Sequence, residues 1–93
     1  MFNIDNPEYS MIRPHIKKSL VDYAKYNYST GGFLKSVLEN DLAGALGKAD
    51  RDNRENIYHI VKFVYNELPA SCWGSKEKVK KWEGLERYKK TQK

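Results

Sequence analysis

Apolar residues recur every three or four positions along most of this chain, in segments separated by Gly, Pro and Asn/Asp/Ser-rich stretches. This spacing places apolar side chains on one face of an α-helix, whereas a half-buried β-strand requires strict alternation. No alternation longer than a few residues occurs, and no repeat is present. The sequence therefore predicts an all-α fold, a compact bundle of four to five helices.

A chain of 93 residues has the length of one small domain. We predict a single helical domain over 1–93, with an N-terminal arm at 1–11 and a basic C-terminal tail at 83–93. Seven Tyr, two Trp and three Phe supply large apolar surfaces, and a second copy would add buried area to so small a core. A homo-oligomer is therefore expected.

The first helix is predicted over about 14–27, because Pro14 suits the first helical turn, where its missing N–H is no loss. The following NYST sequence interrupts it. Ser29 or Thr30 is expected to cap the second helix, whose apolar period begins at Phe33.

The segment LAGALGKA contains two glycines and is either a bent continuation of the second helix or a separate helix starting near Asn40 and Asp41. Asp52 and Glu55 have the spacing of a capping box. With Asp52 as the cap, a third helix is expected over about 53–67.

Pro69 ends the third helix and is followed by a connector that contains Trp73. A large aromatic side chain is seldom exposed in such a connector, so Trp73 is expected to fold back onto the core. Ser75 can cap a last helix, whose apolar positions include Val79 and Trp82.

The glycine pair Gly31-Gly32 is unusual at a helix start, because glycine disfavours helix formation by about 1 kcal/mol relative to alanine. Two interpretations remain open. The glycines permit a tight corner between the first two helices, or they leave backbone N–H groups accessible to an anion at the positive end of the helix dipole.

The second interpretation predicts a nucleotide site, in which a tyrosine ring stacks on a base and the glycine turn receives phosphate. Structural roles are the alternative to ligand binding. Tyr23 would then belong to the core, and the Asp- and Arg-rich segment after position 49 would form helix caps and local ion pairs. The predicted ligand-binding residues are Lys25, Tyr26, Tyr28, Thr30, Gly31, Gly32, Arg51 and Arg54.

The charge distribution suggests an alternative site. Residues 1–72 carry nine basic and nine acidic side chains, so the whole net charge of +5 lies in 73–93. Lysines interleaved with aromatic residues suit contact with nucleic acid, although a docked helix with Trp82 inward and a solvated lysine face has the same pattern. The residues of this alternative are Lys76, Lys80, Lys81, Arg87, Lys89 and Lys90.

Catalysis and metal binding are not expected. Cys72 is the only cysteine and has no histidine near it in sequence, and His15 and His59 lie beside apolar residues in predicted helices. We therefore predict no enzyme activity, no cofactor and no metal. The absence of a long apolar run and of a secretion signal predicts a cytosolic protein that does not bind membranes.

The strings TGGFLKSVLENDLAGALGKAD and NRENIYHIVKFVYNELPASCWGS, with Trp82 downstream, resemble a group of small proteins encoded by bacteriophages and prophages. The resemblance covers about residues 12–82. It implies a phage accessory protein that acts by binding in the host cytosol, either to a nucleotide signal of host defence or, as a counter-defence inhibitor or regulator, to a host protein or nucleic acid.

Overall fold

The computed structural model describes residues 2–85, which contain six α-helices and no β-strand. The predicted all-α class is confirmed, and four of the helices have seven or more residues. No helix among these residues has the length and apolar character needed to cross a membrane. The helices are α1 (Pro14–Tyr26), α2 (Gly32–Leu38), α3 (Leu42–Lys48), α4 (Arg51–Glu55), α5 (Ile57–Glu67) and α6 (Lys76–Lys81), and 3-10 helices lie at Pro7–Tyr9 and Ala70–Cys72.

The core is formed mainly by the apolar faces of α1, α2 and α5. Leu20, Leu38, Phe63 and Val64 have no exposed surface. Burying one side chain of this size stabilises the folded state by about 1.5–3 kcal/mol. The apolar helix faces that hold these side chains therefore contribute much of the stability.

The N-terminal residues also contribute to this core. The Tyr9 side chain is buried, and its ring packs edge-on against Phe63 with centroids 4.9 Å apart. The Tyr9 hydroxyl donates a hydrogen bond to Glu67 Oε2 at 2.8 Å, and the Asn3 N–H donates to Glu67 Oε1 at 2.9 Å. The segment predicted as an arm is therefore fastened along α5.

The boundary between α2 and α3 follows the second of the two predicted alternatives. Asn40 adopts the left-handed conformation with φ of 61°, which ends α2. The Asp41 carboxylate then accepts a hydrogen bond from the Gly44 N–H at 3.0 Å and caps α3. LAGALGKA is thus a separate helix.

The predicted cap of α2 is wrong. The N-cap is Gly31, with φ of 86° and ψ of 171°, and no side chain caps the helix. Neither Ser29 nor Thr30 occupies that position, because the chain reaches the helix through a positive φ that residues with a side chain disfavour.

The predicted cap at Asp52 is also wrong. Asp50 caps α4, accepting a hydrogen bond from the Asn53 N–H at 2.8 Å, and this bond, together with Arg13, lowers the Asp50 pKa. Arg13 contacts both aspartates, at 3.3 Å from Asp50 Oδ2 and 2.9 Å from Asp52 Oδ2, which draws α4 onto the start of α1.

The predicted third helix is two helices. Asn56 interrupts it with φ of −109° and ψ of 13°, so α4 ends before α5 begins. The buried Asn56 side chain donates a hydrogen bond to the Asp52 carbonyl at 3.0 Å. Such a bond from a side chain to the local backbone competes with regular helix geometry.

The C-terminal predictions for Trp73 and Ser75 are confirmed. Trp73 is half-buried against the core, and Ser75 Oγ accepts a hydrogen bond from the Lys78 N–H at 3.1 Å as the cap of α6.

The prediction that the last helix includes Trp82 is wrong, because α6 ends at Lys81 and Trp82 is extended. Trp82 is buried instead in the segment after the helix, and its indole N–H lies 3.2 Å from the carbonyls of both Tyr23 and Ala24. The chain after α6 therefore packs on the carboxyl end of α1.

Gly84 is expected to be intolerant of a side chain. It has φ of 100°, and a Cβ there would lie 2.7 Å from the Lys25 carbonyl oxygen. Gly84→Ala should lower the free energy of unfolding by at least about 1–2 kcal/mol, measured by thermal or urea denaturation.

Gly47→Ala is the matched control for Gly84→Ala. A Cβ at position 47 meets open space within α3, so this substitution should raise stability by about 0.5–1 kcal/mol. Equal effects of the two alanines would contradict the packing described for Gly84.

Candidate functional site

A groove lies where the carboxyl end of α1, the 27–31 loop, α2 and α6 meet. It consists of two adjoining cavities, of about 380 and about 680 Å³, which share Lys35 and Val79. The first is lined by Tyr23, Asn27, Tyr28, Ser29, Thr30, Gly31, Gly32, Lys35, Leu38 and Val79. The second is lined by Lys35, Glu39, Lys76, Glu77, Val79 and Lys80.

Two residues of unusual backbone conformation shape the 27–31 loop. Asn27 ends α1 in the left-handed conformation, with its N–H bonded to the Tyr23 carbonyl at 2.8 Å. Gly31 begins α2 with φ of 86°, and a side chain there would meet open space. The backbone angle, and not crowding, therefore favours glycine at position 31.

The loop leaves backbone donors at the groove. The first hydrogen bond of α2 runs from the Lys35 N–H to the Gly31 carbonyl at 3.0 Å, so the N–H groups of Gly31, Gly32 and Phe33 precede the helical ladder. Gly31 and Gly32 are exposed and line the first cavity. The structure thus shows the tight corner, and anion binding at these N–H groups stays a prediction.

The cations of α6 differ in what they contact. Lys81 Nζ pairs with Glu77 Oε1 at 2.7 Å, which raises the pKa of Lys81 and lowers that of Glu77, and Lys78 Nζ donates to the Ala70 carbonyl at 3.2 Å. Lys76 and Lys80 line the second cavity together with Lys35. Since Lys81 compensates Glu77, three lysines among the described residues line the groove against the single further carboxylate of Glu39, and positive charge exceeds negative charge there.

Two tyrosines give the first cavity its aromatic surface. Tyr28 is exposed, and its ring lies 5.3 Å from that of Tyr26. Tyr23 forms a fixed wall, because it is buried and its hydroxyl donates a hydrogen bond to the Cys72 carbonyl at 2.8 Å. Burial also raises the Tyr23 pKa, so this hydroxyl stays protonated.

Four of the eight residues predicted to bind a ligand line the first cavity, namely Tyr28, Thr30, Gly31 and Gly32. Four others do not line the groove. Lys25 Nζ lies 6.0 Å from the Phe2 ring centre, Tyr26 packs against Tyr28, Arg51 pairs with Glu55 at 3.2 Å, and Arg54 is exposed on α4.

The residues predicted for the alternative nucleic-acid site also lie in different places. Lys76 and Lys80 line the second cavity, and Lys81 lies beside it in its pair with Glu77. Arg87, Lys89 and Lys90 lie outside the described residues.

Sequence reasoning missed Lys35. This lysine lies four residues after Gly31, and that spacing places both on one side of a helix, so the signal was present. Its proximity to Lys76 and Lys80 had no signal in the sequence, because the packing of α6 beside α2 creates it.

Cys72 is a buried structural residue. Its side chain has no exposed surface, and burial raises the thiol pKa to about 12. Within residues 2–85, no three His, Cys, Asp or Glu side chains are grouped closely enough to hold a metal ion.

Comparison of the chain with protein-family models, curated proteins and solved structures gives no match. The resemblance to phage-encoded proteins therefore stays a prediction.

The Cys72 thiol should be unreactive in the folded protein. With a pKa of about 12 and no exposure, it should react with an aromatic disulfide reagent at pH 8 at least about 100-fold more slowly than in denaturant. The release of chromophore followed with and without guanidinium measures this ratio. Comparable rates in both conditions would show an open site at Cys72.

Proposed function

We propose that this chain is a non-enzymatic binding protein whose groove takes a small anionic ligand of the nucleotide class. One observation carries the proposal. Gly31, Gly32, Lys35 and Tyr28, which carry backbone N–H groups, an ammonium group and an aromatic ring, line one cavity of about 380 Å³. That volume lies within the range of about 300–1,000 Å³ typical of small-molecule sites.

The ligand's phosphate would be held at the start of α2. Backbone N–H groups without helical partners donate to phosphate oxygens, and Lys35 supplies a charge-assisted hydrogen bond from the same side. Since α2 has only seven residues, its dipole adds little, and the lysine is the larger contribution.

The base would stack on Tyr28, which lines the first cavity and is 59% exposed. Stacking of a base on an aromatic ring contributes about 1–3 kcal/mol, and a hydrogen bond to a charged group contributes about 1.5–3 kcal/mol. These two terms sum to about 2.5–6 kcal/mol before the loss of ligand freedom is subtracted, so binding at millimolar affinity or tighter needs further phosphate contacts in the cavity.

The biological setting rests on the sequence resemblance alone. A phage-type accessory protein with this groove would sequester a nucleotide signal of host defence in the host cytosol, by occupancy rather than by turnover. The predicted cytosolic location belongs to the same proposal.

A thermal-shift panel of linear and cyclic nucleotides tests the proposed ligand class. At a concentration 100 times its dissociation constant, a true ligand stabilises the fold by about 2.7 kcal/mol, which raises the melting temperature by about 10–20 °C. Inorganic phosphate and the corresponding nucleosides, tested beside it, separate the contributions of phosphate and base. A panel that leaves the melting temperature unchanged would reject the proposal.

Lys35→Ala should weaken binding of any nucleotide found in this way by about tenfold, measured by isothermal titration calorimetry. Arg54→Ala is the control, because it removes one positive charge from α4 and Arg54 does not line the groove. Equal losses in the two variants would indicate a general charge effect and count against the assigned site.

The shared position of Lys35, Lys76 and Lys80 favours a second candidate function, which is binding of single-stranded nucleic acid along the whole groove. The Lys76→Ala, Lys80→Ala double variant should then lower the salt dependence of oligonucleotide binding by about 1–2 in the slope of log K against log salt. Fluorescence anisotropy at several salt concentrations measures the slope. An unchanged slope would exclude these two lysines as phosphate contacts.

A further inference from the structure

An exposed apolar face lies on the outer side of α5 and on α3. Tyr58, Val61 and Tyr65 are 68%, 38% and 72% exposed, and they follow one another at helical spacing. Leu42 and Leu46, one turn apart on α3, are 63% and 40% exposed. Leu42 lines a common apolar cleft with the three α5 residues, and Leu46 lies one turn further along α3 outside the cleft lining. We call these five side chains the α3–α5 face.

We propose that the α3–α5 face binds a second copy of this chain, with the two α5 helices antiparallel across a two-fold axis. Tyr58 and Tyr65 are seven residues apart, at equal distances from the midpoint between Val61 and Lys62. Antiparallel pairing about that midpoint places Tyr58 opposite Tyr65 of the second copy and Val61 beside the axis. The row of α5 side chains in the α3–α5 face is therefore complementary to the same row in a second copy, as a two-fold interface requires.

The area of the face matches what a specific dimer needs. At ~200 Å² for a tyrosine side chain and ~100 Å² for an aliphatic one, the exposed fractions leave about 400 Å² of apolar surface per copy. Two copies bury about 800 Å², and because apolar atoms form about 60% of an interface, the whole contact reaches about 1,300 Å². Specific interfaces bury about 1,200–2,000 Å².

The charge and rigidity of the face also suit this contact. Lys62, at the edge of the cleft, pairs with Glu8 Oε1 at 3.1 Å, so it brings no uncompensated charge to the two-fold axis. The Tyr65 ring packs edge-on against Trp73 at 6.0 Å, and the Tyr58 ring packs against His59 at 5.4 Å. Rings already held in the monomer lose less side-chain entropy on binding.

The inference is independent of the proposed ligand, because none of the five residues lines the groove. A dimer formed in this way keeps both grooves free and presents two of them in one particle.

Sedimentation equilibrium over a range of protein concentrations tests the dimer. The wild-type mass should rise with concentration from 10.9 kDa towards twice that value. The Tyr58→Lys, Tyr65→Lys double variant should remain monomeric, because four lysines would meet across the axis. Tyr26→Lys, which changes a tyrosine that is 48% exposed outside the face, should dimerise like wild type. Circular dichroism confirms that each variant is folded.

A cross-link locates the axis. Val61→Cys, in a Cys72→Ala background, should form a covalent dimer on mild oxidation, whereas Lys18→Cys, at an exposed position on α1, should not. A wild-type chain that stays at 10.9 kDa at every concentration overturns the proposal and leaves the face to a different protein. A dimer that persists in the double lysine variant, or equal cross-linking at both cysteines, overturns it too.

Discussion

The arrangement of this fold depends on hydrogen bonds at the carboxyl end of α1. There the Tyr23 hydroxyl donates to the Cys72 carbonyl, and the indole N–H of Trp82 lies within reach of the Tyr23 and Ala24 carbonyls. These hydrogen bonds are buried, and leaving one of their groups unpaired would be destabilising by about 1–3 kcal/mol. They bring the segment before α6 and the segment after it against the same end of α1. A further bond, from the Gly74 N–H to the Leu38 carbonyl at 2.7 Å, joins the end of α2 to that junction.

The groove is a consequence of this junction. Once α1, α2 and α6 are fixed at one point, the 27–31 loop must reverse direction over a short span, and it does so with left-handed Asn27 and positive-φ Gly31. The residues of this loop are exposed or half-buried, and residues 27–31 all line the first cavity. The glycines, hydroxyl residues and lysine that line this groove are the residues on which the proposed nucleotide site rests.

The sequence suggested a nucleotide site at the glycine corner and, as an alternative, a nucleic-acid site on the basic C-terminal helix. Residues of both predicted sites line this groove. The glycine corner near position 31 and the lysines of α6 are more than 40 residues apart in the chain, yet Lys35 and Val79 line cavities on both sides of their shared boundary. Two of the predicted site cations have a local acidic partner: Lys81 pairs with Glu77, and Arg51 pairs with Glu55. Their positive charges are therefore locally compensated. The α3–α5 face is separate from the groove and apolar, so the chain has two distinct surfaces with different chemistry.

The sequence by itself determined the helical class, the start of α1 at Pro14 and the cap at Ser75, because periodicity and capping are local properties of the chain. It left open whether a separate α3 begins near Asp41 and whether Trp82 lies inward, and the structure decided both. The tertiary structure decided the cap at Asp50, since Arg13 from another part of the chain holds that carboxylate, and it decided the break at Asn56. It also decided that Lys35 joins Lys76 and Lys80, and that Tyr58, Val61 and Tyr65 stay outside the core. A hydrophobic period marks which side of a helix is apolar, but only the packing of helices with one another determines which apolar side chains are buried and which cations share a cavity.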